Sequence, residues 1–168
     1  MIKAVIFDFG HTIMNELEDR DWPFSTVPIH LMPGVLDVLP HLSIDKGIWA
    51  NTRKVKERGI RDWLKRAEIN HHFKWVVTSV EAGKRKPHPG FFSFALKKCG
   101  LKKDEVVFVG NQLNTDIQGA LDYGIPNVWL SDDVFRSPDD MYKTGQIAPD
   151  HTIGNFAELP RLVRKLQK

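Results

Sequence analysis

Ile2–Phe9, IKAVIFDF, is a continuous apolar run, rich in β-branched and aromatic side chains, that stops at Gly10. A run this short and without polar alternation reads as a strand buried on both faces. Gly47–Asn51 (GIWAN), Phe73–Ser79 (FKWVVTS), Glu105–Gly110 (EVVFVG) and Asn127–Ser131 (NVWLS) read the same way. Helical patterns lie between them. One opens at Pro33-Gly34 and runs through about Leu42, with Pro40 set to end or bend it. A second is capped by Asn51 or Thr52 and runs through about Ala67. Lys84–Pro89 is a basic, proline-rich turn ahead of a helix over Phe91–Cys99, and Thr115–Tyr123 is a helix closed by Gly124. A short segment near Thr152 and a helix from about Phe156 close the chain. Strands alternating with helices predict right-handed crossovers and a doubly wound, three-layer, Rossmann-like α/β fold on a parallel sheet.

The chain of 168 residues fits one domain over 1–168, with a short insertion at about 13–32 that holds Pro23, Pro28 and Trp22. An apolar fraction of 42% beside 27% charged residues excludes a disordered chain and predicts a soluble globular one. Cys99 is the sole cysteine, which excludes an internal disulfide. No stretch approaches the roughly 20 apolar residues of a membrane span, and the apolar start runs straight into Asp8, unlike a signal peptide. A cytoplasmic protein is expected. The net charge of +3 is a slight pointer to anionic partners. The cations of Arg53–Arg66 fall all round their helix, so they read as a solvated face, and nucleic acid is not expected as a partner. His71-His72 lacks a spaced His or Cys to complete a metal site.

Ligands of such sheets bind outside the carboxyl ends of the strands. Asp8 follows the first strand, Ala50-Asn51-Thr52 the second and Asn111 the fourth, while Asp116 opens the next helix and Lys86 sits in the basic turn. Singly, each has a plain reading: Asp8 as a turn residue, Asp116 as a helix-start acid, Lys86 as a solvated cation. At one rim they mean more. Two carboxylates repel unless a cation lies between them, and Mg²⁺ prefers such oxygen ligands. A cation, a lysine and helix N-termini together hold phosphate. A strand-end carboxylate beside them can then act as a nucleophile and form an aspartyl-phosphate.

These stretches resemble the haloacid dehalogenase-like hydrolases. FDFGHT (Phe7–Thr12) resembles the family's first motif, Asp-x-Asp-x-Thr after an apolar strand. WANT (Trp49–Thr52) lies at the second, KRKPHPGFF (Lys84–Phe92) resembles the third, and VFVGNQLNTDIQGA (Val107–Ala120) resembles the fourth. The resemblance covers the chain from Ile2 to about Leu130. It implies that Asp8 is the nucleophile and a metal ligand, and that Lys86 offsets charge on Asp8 and the phosphoryl oxygens. Gly10 through its carbonyl, Asn111 and Asp116 would complete a Mg²⁺ site. Asn51, Thr52 and His11 stand where phosphate would be bound.

Three positions depart from the family pattern. Gly10 replaces the Asp that protonates the leaving group, Ala50 the phosphate-binding Ser or Thr, and Asn111 a ligand carboxylate. Weak Mg²⁺ binding follows from the lost charge. Family members that dehalogenate or cleave phosphorus–carbon bonds also lack the second Asp of the first motif, but they use a cap domain, and the insertion here is too short to be one. The expectation is a capless phosphomonoesterase of low activity acting on a phosphorylated small molecule or macromolecule. The alternative is a catalytically impaired binding or interaction protein of the same fold. The oligomeric state stays open.

Overall fold

A computed structural model of the chain describes residues 1–15, 26, 28–131 and 146–168. Six parallel strands form its sheet: β1 (Ala4–Phe7), β2 (Asp45–Ala50), β3 (Trp75–Thr78), β4 (Val106–Gly110), β5 (Asn127–Leu130) and β6 (His151–Ile153). Their order is β3-β2-β1-β4-β5-β6. The chain therefore winds outward from β1 on one side, crosses back, and winds outward from β4 on the other. β1 and β4 flank the point where the winding reverses, and Phe7 is in register with Ile48 on one side and Val109 on the other. The crevice at such a point is where ligands of this fold bind.

Every residue of β1 and β4 is buried, as the unbroken apolar runs predict. The two-residue period divides the sheet's side chains between two cores. Val5, Phe7, Ile48, Val76, Val107 and Val109 face one layer, with Val35 and Val38 of α1 (Val35–Val38), Ile60, Trp63 and Leu64 of α2 (Glu57–Arg66), and Leu159 and Val163 of α6 (Leu159–Leu166). Ala4, Ile6, Trp49, Val77 and Phe108 face the other. There they meet Phe91, Phe92, Ala95 and Leu96 of α4 (Pro89–Cys99) and Ala120 of α5 (Gln118–Tyr123). Trp49 stacks on Phe108 with ring centroids 5.7 Å apart and meets Phe91 and Phe92 edge-on, so an aromatic cluster lies under the strand ends.

Several elements differ from the sequence reading for local reasons. The helix after β2 starts at Glu57, because neither Asn51 nor Thr52 caps it. The Thr52 hydroxyl donates to the Val55 carbonyl at 2.6 Å and its N–H donates to Ser79 Oγ at 2.9 Å, which holds the preceding residues as a loop. The helix after Gly34 is one turn, passing at Pro40 into a 3₁₀ turn over Leu39–His41. The third strand ends at Thr78, whose hydroxyl caps α3 (Ser79–Ala82) by accepting from the Glu81 N–H. A π turn over Leu113–Ile117 precedes α5. The segment near Thr152 is a sixth strand, paired with β5. In the stretch read as an insertion, Met14 bridges Gly10 and Leu31, while Trp22 and Pro23 lie outside the described residues. Among the described residues no cap domain is present, and no helix is long and apolar enough to cross a membrane.

α5 approaches α4 and the turn before it closely at Gly119, where a Cβ would stand 2.7 Å from the Phe92 ring and 2.9 Å from the Pro87 Cα. Phe92 is anchored in the aromatic cluster and Pro87 in the backbone, so neither yields readily. Gly119→Ala is expected to lower stability by about 1–3 kcal/mol through overpacking, read as a fall in the urea midpoint at unchanged m-value.

Candidate active site

Asp8 continues β1 by one residue. Its N–H donates to the Val109 carbonyl at 2.8 Å, so its backbone is pinned to β4 after the strand proper has ended. The chain then turns sharply. His11 adopts φ 53°, a left-handed conformation that His tolerates better than most residues, and its N–H donates to the Met14 carbonyl at 2.6 Å. The turn aims the Asp8 carboxylate along the carboxyl edge of the sheet.

Lys86 reaches that carboxylate from the turn between α3 and α4. Its Nζ donates to Asp8 Oδ1 at 2.6 Å and to the Trp49 carbonyl at 2.8 Å, and it lies 2.8 Å from Asp116 Oδ1. An ammonium has three protons, and here it has three acceptors. Phe108 lies beneath it, with the ring centroid 5.0 Å from Nζ. The Lys86 side chain is 1% exposed, and burial by itself would lower its pKa. The Asp116 and Asp8 carboxylates outweigh that effect and hold it above the ordinary lysine value, so the ammonium stays charged.

The turn is held in place by Asn51. Its side-chain amide donates through Nδ2 to the Lys86 carbonyl at 3.0 Å, and its Oδ1 accepts the Lys86 N–H at 2.8 Å. Both polar atoms of this side chain are thus engaged with one peptide unit. Thr52 is likewise turned to the protein, through the contacts with Val55 and Ser79. Two of the three side chains that the sequence reading assigned to phosphate, Asn51 and Thr52, therefore serve the loops that present Lys86. Ala50, 2% exposed, offers no hydroxyl.

Asp116 comes from the π turn after β4. Its Oδ2 accepts the Gln112 N–H at 3.1 Å, leaving Oδ1 for Lys86. Its carboxylate presses against Gly110, where a Cβ would stand 2.5 Å from Asp116 Oδ2, so only glycine permits this placement. Burial and the charge of Asp8 push the Asp116 carboxyl up to about 6, while Lys86 and the Gln112 N–H pull the other way. Asn111 is fixed between two contacts: its carbonyl accepts the Trp129 indole N–H at 3.0 Å, and Oδ1 accepts the Thr12 hydroxyl at 3.4 Å. The structure thus brings Asp8, Lys86 and Asp116 into direct contact, with Gly10, His11 and Asn111 close by along the chain. Thr12, Trp129 and Gly110 carried no assigned role in the sequence. Their contributions are contacts across the sheet, which spacing does not reveal.

Residues 84–159 match the HAD-hydrolase-like family model. The fold matches that of L-2-haloacid dehalogenase from Xanthobacter autotrophicus, with a TM-score of 0.77 at 17% identity over 98% of this chain and 99% of that one. The chain thus resembles the haloacid dehalogenase-like hydrolases, in sequence over residues 84–159 and in fold over nearly all of its length. An uncharacterized protein from Listeria monocytogenes serotype 4b has a crystal structure that superposes with a TM-score of 0.79 at 27% identity, covering 99% of both chains. A curated relative of the family, glyceraldehyde 3-phosphate phosphatase of Methanocaldococcus jannaschii, is 36% identical over 112 residues. That match takes in 65% of this chain and 46% of the relative, so it spans less than half of the relative's length.

Removing Lys86 leaves two buried carboxylates, Asp8 and Asp116, without their shared cation. Lys86→Met is expected to cost about 3–5 kcal/mol by chemical denaturation near neutral pH. Without the lysine, burial and the charge of Asp8 hold the folded-state Asp116 carboxyl still further above its unfolded value. A raised pKa means stability that is present at low pH and lost as pH rises through the folded value. The deficit of the variant should therefore shrink as the pH is lowered. Asn51→Ala strips both hydrogen bonds from the Lys86 peptide and is expected to cost about 1–3 kcal/mol in the same measurement.

Proposed function

We propose that the chain is a phosphomonoesterase that works through an aspartyl-phosphate on Asp8, with Mg²⁺ as its metal and a phosphorylated small molecule as its substrate. One observation carries this reading: Lys86 binds Asp8 Oδ1 and leaves Oδ2, which has no hydrogen bond among the described residues. A carboxylate oriented through one oxygen and open at the other is set up as a nucleophile. The phosphatase named among its relatives points the same way.

In this reading Asp8 Oδ2 attacks phosphorus, the phosphorus–ester oxygen bond breaks, and the leaving oxygen departs with the bonding pair. Water then attacks the phosphorus of the aspartyl-phosphate, loses a proton to solvent, and releases inorganic phosphate and the Asp8 carboxylate. Lys86 holds Asp8 in line and keeps a positive charge beside the transferring group throughout. The residues fit a hard divalent cation, since every donor is an oxygen: the Asp8 and Asp116 carboxylates, the Asn111 amide and the Gly10 carbonyl. The two carboxylates and one ammonium also leave one uncompensated negative charge. When bound there, Mg²⁺ would draw charge from the phosphoryl oxygens. With Gly10 in place of an acid, the leaving oxygen has no carboxyl to protonate it, a loss of about 10²–10⁴-fold that falls mainly on poor leaving groups.

The same glycine favours a second reading, a binding protein that has kept the fold and lost turnover. Hydrolysis of p-nitrophenyl phosphate, whose leaving group departs unprotonated, separates the two. With Mg²⁺ present, the parent is expected to release nitrophenolate, and Asp8→Asn to fall to the background rate while its circular dichroism stays native. A parent that releases none would leave the binding role standing.

A further inference from the structure

Beside the Asp8 rim, at the carboxyl ends of β2 and β3, lies a cavity of about 930 Å³. Thr52 and Arg53 after β2, Ser79 after β3, and Lys84, Arg85 and Lys86 of the basic turn line it. Lys86 belongs to both places: it is among the residues that line the cavity, and its ammonium binds Asp8. The volume lies within the roughly 300–1,000 Å³ usual for small-molecule sites.

The charge on these walls is of one sign. Arg53, Lys84 and Arg85 are exposed to the cavity side of the loops, and no Asp or Glu lines it. Arg85 donates through Nη1 to the Thr52 carbonyl at 3.0 Å, which lays its guanidinium along the wall. Arg53 and Lys84 have no ion pair among the described residues. The nearest carboxylates on the packed elements are committed elsewhere, Glu57 to Arg61 and Lys98, and Glu81 to Lys98 and the Thr78 hydroxyl. His88 adds no acceptor to the cavity at Nδ1, which takes the Gly90 N–H at 3.0 Å. An open pocket lined by uncompensated cations attracts anions, and guanidinium groups match phosphate oxygens in pairs.

No Phe, Tyr or Trp lines the cavity, so it has no platform on which bases would stack. A compact, highly charged group suits it better than a nucleic acid strand. We propose that this cavity holds the second phosphate of a bisphosphorylated small molecule whose first phosphate is presented to Asp8. The proposal narrows the substrate class of the phosphatase reading and rests on that reading for its catalytic half.

Two measurements test it separately. The first is the ratio of kcat/KM for fructose 1,6-bisphosphate to that for fructose 6-phosphate. It is expected to be about tenfold or more in the parent and to fall to near one in the double variant Arg53→Gln, Lys84→Gln, given about 1.5–3 kcal/mol for hydrogen bonds to charged groups. The control pair Arg164→Gln, Lys165→Gln, exposed on α6 and outside the cavity, removes the same charge and should keep the parent ratio. The second is calorimetric binding of inorganic pyrophosphate to Asp8→Asn without metal, expected to weaken about tenfold when Arg53→Gln and Lys84→Gln are added. If neither sugar phosphate is turned over and the pyrophosphate effect persists, the phosphatase reading fails and the anion site stands. Unchanged pyrophosphate binding in the combined variant overturns the proposal. So does a control pair that lowers binding equally, or a single-stranded RNA oligonucleotide that binds more tightly than pyrophosphate.

Discussion

A lysine ammonium buried among three oxygen acceptors sets the terms for the rest of this molecule. Lys86 can remain charged inside the protein only because Asp8, Asp116 and the Trp49 carbonyl all reach it. Those acceptors come from the ends of β1, β2 and the segment after β4, three neighbouring strands of the sheet. The strand order therefore has a chemical consequence. With another strand between β1 and β4, the two carboxylates would not share one cation.

Much of the surrounding structure serves that contact. Gly110 clears the space for the Asp116 carboxylate, and Gly119 lets α5 close on the turn that carries Lys86. Asn51 clamps the Lys86 peptide from the end of β2, and Ser79 and Thr52 tie that loop to α3. Beneath the ammonium, Trp49, Phe91, Phe92 and Phe108 form a dry aromatic floor that keeps water from competing for the charge. The departures of this chain from the motifs it resembles fall around that contact, at Gly10, Ala50 and Asn111. The arrangement that holds Asp8 is intact, with Lys86 and Asp116 in place.

The sequence was most legible where a single segment carries the signal. The run before Asp8, the turn at Lys84–Pro89 and the glycine stops at Gly100 and Gly124 all lie in the structure close to where local pattern placed them. Helix starts were less legible. Thr52 has the chemistry of a cap, but its hydroxyl and N–H find partners in Val55 and across the sheet in Ser79, so α2 begins later. Asn51 looked like a group free to meet a ligand, because nothing in linear order shows that the Lys86 peptide lies against it. Trp22 and its neighbours lie outside the described residues.

From the sequence alone came the fold class, the parallel sheet, the placing of Asp8, Lys86 and Asp116 at one rim of the sheet, and the resemblance to one hydrolase family. These are properties of local hydrophobic period and of short motifs, which a single chain displays in order. Only the tertiary structure decided that Lys86 joins both carboxylates at once, that Asn51 spends its amide on the lysine's own backbone, and that Arg53 and Lys84 face one cavity with no acid between them. Each of these depends on which oxygen or charge a folded backbone brings near another, and residues far apart in the chain, as Asn51 and Lys86 are, acquire that nearness only when the sheet is assembled.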